Sequence, residues 1–236
     1  MKKTDLHVHT VFSDGKLTPF QVIQEAYHKD IAAVGITDHD TMRGIPHALQ
    51  AARKFNVEVV PGLELSTDCE GQEVHILGYY CRAENIILNK TLAHVRRDRY
   101  NRIVKMIARL KDLGIDLTLK DVLKMAKGGE SLGRPHLAAA LCHKGYCNTP
   151  REAFLRFLDK GKPAFVNRLK IASTVAIQII RKSGGVPVLA HPGMYKNDSL
   201  ISPLIQHGLL GIETFHPDHG PVDCRRYYRI AKYYTQ

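Results

Sequence analysis

The chain has 236 residues and 44% of them are hydrophobic, which is enough for one sizeable core with an inserted subdomain. Its 34 lysine and arginine residues against 23 aspartate and glutamate residues give a net charge of +11, which favours anionic partners such as phosphates or nucleic acid. No stretch reaches the roughly 18 consecutive apolar residues of a membrane span, and residues 5–9 are too polar for an export signal. The five cysteines are scattered, which predicts reduced thiols in a cytoplasmic protein.

The first third of the chain alternates between strand and helix patterns. An opening strand leads into the segment 5–15, and apolar periodicity and turn residues predict the elements after it. In chain order these are a helix from Pro19 to about Asp30, a strand to Thr37, a helix at 45–55, and strands at 57–65 and 73–80. Alternation at this spacing predicts parallel βαβ units and an α/β fold.

Only helices are predicted over 84–162, where apolar residues recur at helical spacing between Leu88 and Leu110. We interpret this segment as an inserted helical cap subdomain, with 1–83 and 163–236 forming the main domain. Further helices of the cap are predicted at 119–126, 135–144 and 151–158. Alternation then resumes with a helix at 172–182, a strand to Ala190, a helix at 199–206, a strand at 209–215 and a helix at 222–234.

Seven histidine and carboxylate side chains accompany the predicted strands. On an extended backbone His7 and His9 point to the same side, and the turn at 13–15 can bring Asp14 back toward them. The other four come where apolar runs stop or inside the strand 73–80, and they are His39, Glu64, His75 and His191. A parallel α/β barrel gathers such positions at the carboxyl ends of its strands.

A lone His-x-His pair is a weak signal, and its recurrence with further ligand-type residues makes a metal site the better interpretation. Imidazole and carboxylate ligands without cysteine suit Zn²⁺, Mn²⁺ or Fe²⁺, and a carboxylate such as Glu64 can bridge two ions. Seven candidates exceed the four ligands of one tetrahedral ion. The sequence therefore predicts two or three divalent ions.

The segments that carry these residues resemble the polymerase and histidinol phosphatase (PHP) family of metal-dependent phosphoesterases. The matching segments are 5–10, 13–15, 35–40, 61–64, 75–78 and 190–192. The resemblance implies a distorted (βα)7 TIM-like barrel formed by the main domain. The helical insert and the segment 133–136 resemble the branch that removes the 3′-phosphate from nucleoside 3′,5′-bisphosphates and trims short RNA from its 5′ end.

The resemblance also implies a role for each ligand. It assigns His7 and His9 to a first ion, and Asp14 and His39 to a third. It assigns Glu64, His75 and His191 to a second ion, and Glu64 is expected to bridge this ion to the first. Mn²⁺ is the first choice, with Zn²⁺ or Fe²⁺ as alternatives. His39 and Glu64 are the predicted catalytic residues, and a metal-activated water is predicted to attack phosphorus in line.

Four residues are predicted to bind substrate. Arg99 falls within the apolar stripe of its helix and needs a partner, and Arg102 follows one turn later in a segment that resembles a substrate contact. Arg134 stands at a helix start, where free N–H groups and a guanidinium suit a phosphate, although an ordinary helix cap would look the same. His219 resembles a family residue near the phosphate.

The sequence departs from the family pattern at its end. The resemblance implies a last strand ending in Asp-x-His, whereas the sequence stops at 233–236. We therefore expect an open barrel edge, self-association through it, and reduced activity. Three hypotheses remain open: a phosphoesterase acting on nucleotides or short RNA, a metal-dependent amidohydrolase, which also uses His-x-His in a barrel, and a catalytically impaired nucleotide-binding protein.

Overall fold

The computed structural model describes residues 2–169 and 171–234 and shows an α/β protein whose described residues form two compact units. The first unit comprises the described residues of Met1–Val59 and Thr91–Leu169, and the second those of Val60–Lys90 and Lys170–Gln236. Among the described residues, no helix has the length and apolar character that crossing a bilayer requires. Met1, Lys170, Thr235 and Gln236 lie outside the described residues.

The amino-terminal part of the first unit contains two parallel strands and two helices that pack on them. The elements are β1 (Lys3–Val8), α1 (Pro19–His28), β2 (Ile31–Ile36) and α2 (Gly44–Phe55). Thr18 caps α1 by accepting the Gln21 N–H, and the Gln21 side chain accepts the Thr18 N–H in return. Gly35 allows β1 and β2 to approach, because a Cβ there would lie 2.2 Å from the Leu6 carbonyl oxygen. This confirms the predicted parallel βαβ unit.

The rest of the first unit is helical, as the apolar periodicity predicts. It contains most of α3 (Ile86–Asp112), then α4 (Leu119–Met125), α5 (Arg134–His143), and α6 (Pro150–Ala153), which continues into a π-helical turn at Phe154–Leu158. These helices share one core, in which Ile103, Met106 and Leu137 are fully buried. The helices therefore bury their apolar faces against one another.

The second unit contains four strands, of which β3 begins at the end of the first unit. The elements are β3 (Glu58–Cys69), β4 (Gln72–Tyr79), α7 (Ser173–Lys182), β5 (Val186–Leu189), α8 (Ile201–Gln206), β6 (Gly211–Ile212) and α9 (Pro221–Tyr234). β3 and β4 form a hairpin whose tip, Glu70 and Gly71, has positive φ at both positions, as a tight two-residue turn requires. β4 is also antiparallel to β5, and β5 is parallel to β6.

Two strand expectations differ from the structure. Glu64 does not stand at a strand end, because β3 continues to Cys69 through its pairing with β4. The strand predicted at 209–215 is reduced to Gly211–Ile212, which pair with Val188 and Leu189. The parallel pattern thus holds for β1 with β2 and for β5 with β6, and the β3–β4 turn reverses the chain between them.

Candidate metal centre

The first group of ligand-type side chains lies at the end of β1, in the loop that follows it, and after β2. The Nε2 atoms of His7 and His9 are 3.2 Å apart, because both rings lie on the same side of the strand. His9 Nδ1–H donates to Asp14 Oδ1 at 2.8 Å, and His39 Nε2 lies 3.9 Å from Asp14 Oδ2. The ligand atoms of His9, Asp14 and His39 lie within 4.8 Å of one another. The first unit therefore gathers the four predicted ligands that it contains.

Asp14 is the charged member of this group. Burial by itself raises the pKa of the Asp14 carboxyl group, but His39, His9 and Arg99 outweigh burial and hold the pKa well below its usual range. Asp14 therefore stays ionised at all pH values at which the protein is expected to work. A charged carboxylate beside imidazoles is a donor set that divalent transition metals prefer.

The second group is centred on Glu64, in the middle of β3. Its Oε1 atom lies 2.9 Å from His75 Nδ1 and 3.0 Å from His191 Nε2, and its side chain is only 1% exposed. Burial lowers the pKa of His75, but the Glu64 and Glu73 carboxylates outweigh burial and raise that pKa above its ordinary value. The second unit therefore gathers the other three predicted ligands around one buried carboxylate oxygen.

Two residues that the sequence did not single out support this second group. The Tyr195 hydroxyl accepts the His75 N–H at 2.8 Å, just beyond the point where β5 ends beside β4. The Glu213 carboxylate accepts the His191 N–H at 2.6 Å. This bond matters because His191 has a φ of 28°, a backbone conformation that surrounding contacts must stabilise. Glu213 directly follows β6, so its position after a strand was an available signal, whereas nothing in the sequence marked Tyr195.

The donor atoms of each unit fit a divalent cation. Two ligand atoms on one ion, with bonds of about 2.1 Å, lie about 3.0–3.5 Å apart. The His7–His9 separation of 3.2 Å and the Glu64 separations of 2.9 and 3.0 Å are close to that range. The donors are nitrogen and oxygen without sulfur, which suits Mn²⁺, Fe²⁺ or Zn²⁺.

Arg99 lies where α3 passes the loop after β2 and the start of α5. Its Nε–H donates to Asp40 Oδ2 at 2.5 Å, so the charge in the apolar stripe does have a partner. The side chains of Asp40 and Arg99 are 0% and 14% exposed. A Cβ at Gly133 would lie 3.4 Å from Arg99 Nη1, which places this guanidinium beside the amino-terminal end of α5. Arg99 and Arg134 are therefore neighbours of the same helix start.

The other predicted substrate contacts have structural partners. Arg134 Nη1 lies 3.7 Å from Asp159 Oδ1, and its guanidinium stacks on Phe154. Arg102 is buried and donates its Nε–H to the Val166 carbonyl at 2.7 Å.

His219, the fourth predicted contact, is also buried in the second unit. Its Nδ1–H donates to the Thr214 carbonyl at 3.0 Å, and its Nε2 accepts the Gly193 N–H at 3.0 Å. His219 therefore holds two loops together in this conformation, with both ring nitrogens engaged.

The fold and these two groups of side chains define a class of protein. It is an α/β protein in which histidine and carboxylate side chains, without cysteine, form groups that could hold divalent metal ions. The chain belongs to the PHP family, whose PHP domain model matches residues 5–160. This confirms the family that the sequence motifs predict.

Three curated relatives share about a third of their residues with this chain. It is 31% identical to a phosphoribosyl 1,2-cyclic phosphate 1,2-diphosphodiesterase from Eggerthella lenta, over 98% of this chain and 89% of the relative. It is 32% identical to a 3′,5′-nucleoside bisphosphate phosphatase from Chromobacterium violaceum, over 96% and 81%. It is 33% identical to a 5′-3′ exoribonuclease from Haemophilus influenzae, over 82% and 70%.

A solved structure shares the fold. It is the crystal structure of a protein from Bifidobacterium adolescentis, named for a metal-dependent phosphoesterase activity. The superposition has a TM-score of 0.93 at 30% sequence identity and covers 99% of this chain and 84% of that one. The α/β fold described above is therefore that of a PHP-like phosphoesterase.

Proposed function

We propose that this protein is a metal-dependent phosphoesterase that hydrolyses a phosphate ester of a nucleotide. Its substrates are the 3′-phosphate of nucleoside 3′,5′-bisphosphates or the 5′ end of short RNA. The observation that carries the proposal is the buried Glu64 carboxylate, whose Oε1 faces imidazole nitrogens at 2.9 and 3.0 Å. The curated relatives support it, because each is named for the hydrolysis of a phosphate ester.

The proposed ligands are the seven predicted from the sequence: His7, His9, Asp14, His39, Glu64, His75 and His191. Two or three divalent ions, with Mn²⁺ as the first choice, are the proposed cofactors. Such ions lower the pKa of bound water and neutralise charge on phosphoryl oxygens. The bridging role of Glu64 and the catalytic roles of Glu64 and His39 are part of the proposal, and the family membership supports them.

The phosphate is proposed to bind at the start of α5. Pro135 has no N–H, and the Gly133 N–H donates to His136 Nδ1 at 3.0 Å, so the backbone offers fewer donors than the sequence suggested. The contact therefore falls mainly to the guanidinium groups of Arg99 and Arg134, which form strong bonds to phosphate oxygens.

Arg102 and His219 are also proposed to contact the substrate. Each already has protein partners, so a contact with the substrate requires them to exchange a bond or to act through a loop. Nucleotides or short RNA are the proposed partners.

The helical segment 84–162 is proposed to act as the substrate cap of a distorted (βα)7 barrel. Its helices bury a core of their own, which supports a separate structural role. Arg99 Nη1 lies beside Gly133, which directly precedes Arg134, and this supports a shared role of the two arginines in binding phosphate.

The test is a substrate panel with matched variants. The protein, loaded with Mn²⁺, is incubated with a nucleoside 3′,5′-bisphosphate, a short 5′-phosphorylated RNA, a phosphoribosyl 1,2-cyclic phosphate and a set of amides. We expect phosphate or nucleotide release from one of the first two, and loss of that release in Glu64→Gln. Glu58→Gln, an exposed position on the same strand, is the control and should keep full activity. Hydrolysis of an amide alone would support the amidohydrolase hypothesis instead, and preference for the cyclic phosphate would replace the proposed substrate.

A further inference from the structure

A buried carboxylate that is not among the candidate ligands lies among three of them. Asp38 follows β2, directly precedes His39, and is 1% exposed. Its Oδ1 accepts the Thr10 N–H at 2.7 Å and the Ser13 hydroxyl at 2.6 Å. Its Oδ2 accepts the Thr10 hydroxyl at 2.6 Å. One side chain thus makes three short hydrogen bonds to a single four-residue segment, 10–13.

That segment connects two candidate ligands. Its first residue, Thr10, follows His9, and its last, Ser13, precedes Asp14. The Thr10 carbonyl also accepts the N–H groups of Ser13 and Gly15, both at 3.0 Å, so the loop is closed tightly around Thr10. Holding Thr10 and Ser13 in place therefore holds the backbone directly after His9 and directly before Asp14.

The surroundings of Asp38 leave it little freedom. A Cβ at Gly44 would lie 2.8 Å from Asp38 Oδ2, and a Cβ at Gly15 would lie 2.2 Å from the His9 carbonyl oxygen. Glycine at both positions permits close packing of the loop, the carboxylate and the start of α2. Burying a carboxylate is costly unless hydrogen bonds satisfy its oxygens. Here the Thr10 N–H and the hydroxyl groups of Thr10 and Ser13 donate to both oxygens at short distances.

We propose that Asp38 is the positioning residue of the metal centre formed by His9, Asp14 and His39. It orders the 10–13 segment through its three hydrogen bonds and carries His39 as the next residue in the chain. Its two oxygens are already engaged with these donors, so it acts through the ligands rather than as one of them. This role rests on the proposed function, since it assigns Asp38 to the same site. Replacing a residue that hydrogen-bonds directly to a ligand commonly lowers metal affinity 10–100-fold. Asp38 reaches the ligands through Thr10 and Ser13, so we expect the lower end of that range.

The test compares Asp38→Asn with Asp30→Asn in the 236-residue chain. The amide keeps the size of Asp38 but loses the charge and replaces one acceptor oxygen with a donor group. Depending on which oxygen is replaced, either the Thr10 hydroxyl or both the Thr10 N–H and the Ser13 hydroxyl lose their acceptor. Asp30 is exposed at the opposite end of β2 and has a φ of 54°, which asparagine tolerates well. Mn²⁺ binding to the chelator-treated proteins is measured by titration calorimetry, well below the unfolding temperature of each variant.

We expect Asp38→Asn to weaken Mn²⁺ binding about 10-fold, while Asp30→Asn binds as the original protein does. Saturating Mn²⁺ should restore most of the kcat of Asp38→Asn, whereas a purely structural defect would lower the unfolding temperature and leave the affinity for Mn²⁺ unchanged. Ser13→Ala removes one of the three donors and should give a smaller loss in the same direction. It keeps the test decisive should Asp38→Asn not fold.

Three outcomes would overturn the inference. Unchanged Mn²⁺ affinity in Asp38→Asn, or in Ser13→Ala where only that variant folds, refutes the positioning role while leaving the proposed function intact. Failure of the unchanged protein to bind Mn²⁺ at all refutes the proposed function and the inference together. Weaker binding that saturating Mn²⁺ does not convert into turnover shows that Asp38 has a role other than positioning the ligands.

Discussion

Replacing Arg99 by alanine is expected to destabilise the protein as well as weaken substrate binding. Arg99 is the charged partner of Asp40, whose side chain is completely buried and whose Oδ2 lies 2.5 Å from Arg99 Nε. Removing the guanidinium takes away the charged group that contacts this carboxylate, while the charge of Arg96 still attracts Asp40. The Arg96 guanidinium donates to the Asp40 carbonyl oxygen at 2.8 Å, so it does not replace Arg99 on the carboxylate in this conformation.

The size of the effect follows from burial. Breaking a buried ion pair by removing one partner costs about 3–5 kcal/mol, and a unit charge pair at 4 Å with an effective dielectric constant near 20 gives about 4 kcal/mol. Because Arg99 retains 14% exposure, we expect the lower end, about 3 kcal/mol. Arg134→Ala is the matched control, because its Asp159 partner is 45% exposed and such a pair contributes about 1 kcal/mol or less.

The assay is urea unfolding of Arg99→Ala, Arg134→Ala, Asp40→Asn and the Arg99→Ala/Asp40→Asn double variant, each treated with chelator. A double-mutant cycle isolates the pair, and the neutral amide should recover part of the stability that Arg99→Ala loses. Both arginine variants should raise KM for the nucleotide, with Mn²⁺ affinity little changed. An Arg99→Ala variant within about 0.5 kcal/mol of the original protein would refute this account of the Asp40 pair.

Three further changes test the second unit. Glu64→Gln should abolish turnover and lower the amount of bound metal without unfolding the protein. Activity assays and elemental analysis check this, with Glu58→Gln as the control. Full activity in Glu64→Gln would refute the role of this carboxylate. Burial lowers the pKa of His75, but the Glu64 and Glu73 carboxylates outweigh burial and raise that pKa overall. In metal-free protein, the contribution of His75 to the free energy of unfolding is therefore complete below about pH 6.5. This contribution is lost as the pH rises through the raised pKa. Urea unfolding measured across this pH range checks whether stability falls as the pH rises. The variant His75→Gln should show no such loss. Tyr195→Phe leaves the His75 N–H without its acceptor and should cost about 1–3 kcal/mol of stability, whereas the exposed Tyr80→Phe should cost almost nothing in the same assay.

Much of the fold could be predicted because local chemistry determines it. Thr18, Pro19 and Gln21 set the start of α1, and the apolar spacing of 88–110 sets the buried face of α3. The extension of β3 beyond Leu65 could not be predicted, because residues 66–69 become strand by pairing with β4. Pairing is a tertiary effect that outweighs a local apolar pattern.

The candidate ligands could be named because residue type limits the chemistry, whereas their supports depend on distant contacts. Tyr195 reaches His75 across 120 positions in the sequence, and Arg99 reaches Asp40 across 59. The backbone carbonyls that accept from Arg102 and His219 could not be predicted either, because every residue has a carbonyl group. Arg99 itself was informative, because a charge within an apolar stripe requires a partner, but the identity of that partner depended on the fold.

The most direct test of the central claim is metal-dependent phosphate release. The protein is stripped with a chelator, reloaded with increasing Mn²⁺, and assayed at each step for release of inorganic phosphate from a nucleoside 3′,5′-bisphosphate. The account predicts no release from the stripped protein and a rise with bound Mn²⁺ that saturates as the ligand sites fill, with no rise in Glu64→Gln. Undiminished release from the stripped protein, or no release at any Mn²⁺ concentration from this substrate or from short RNA, would contradict it.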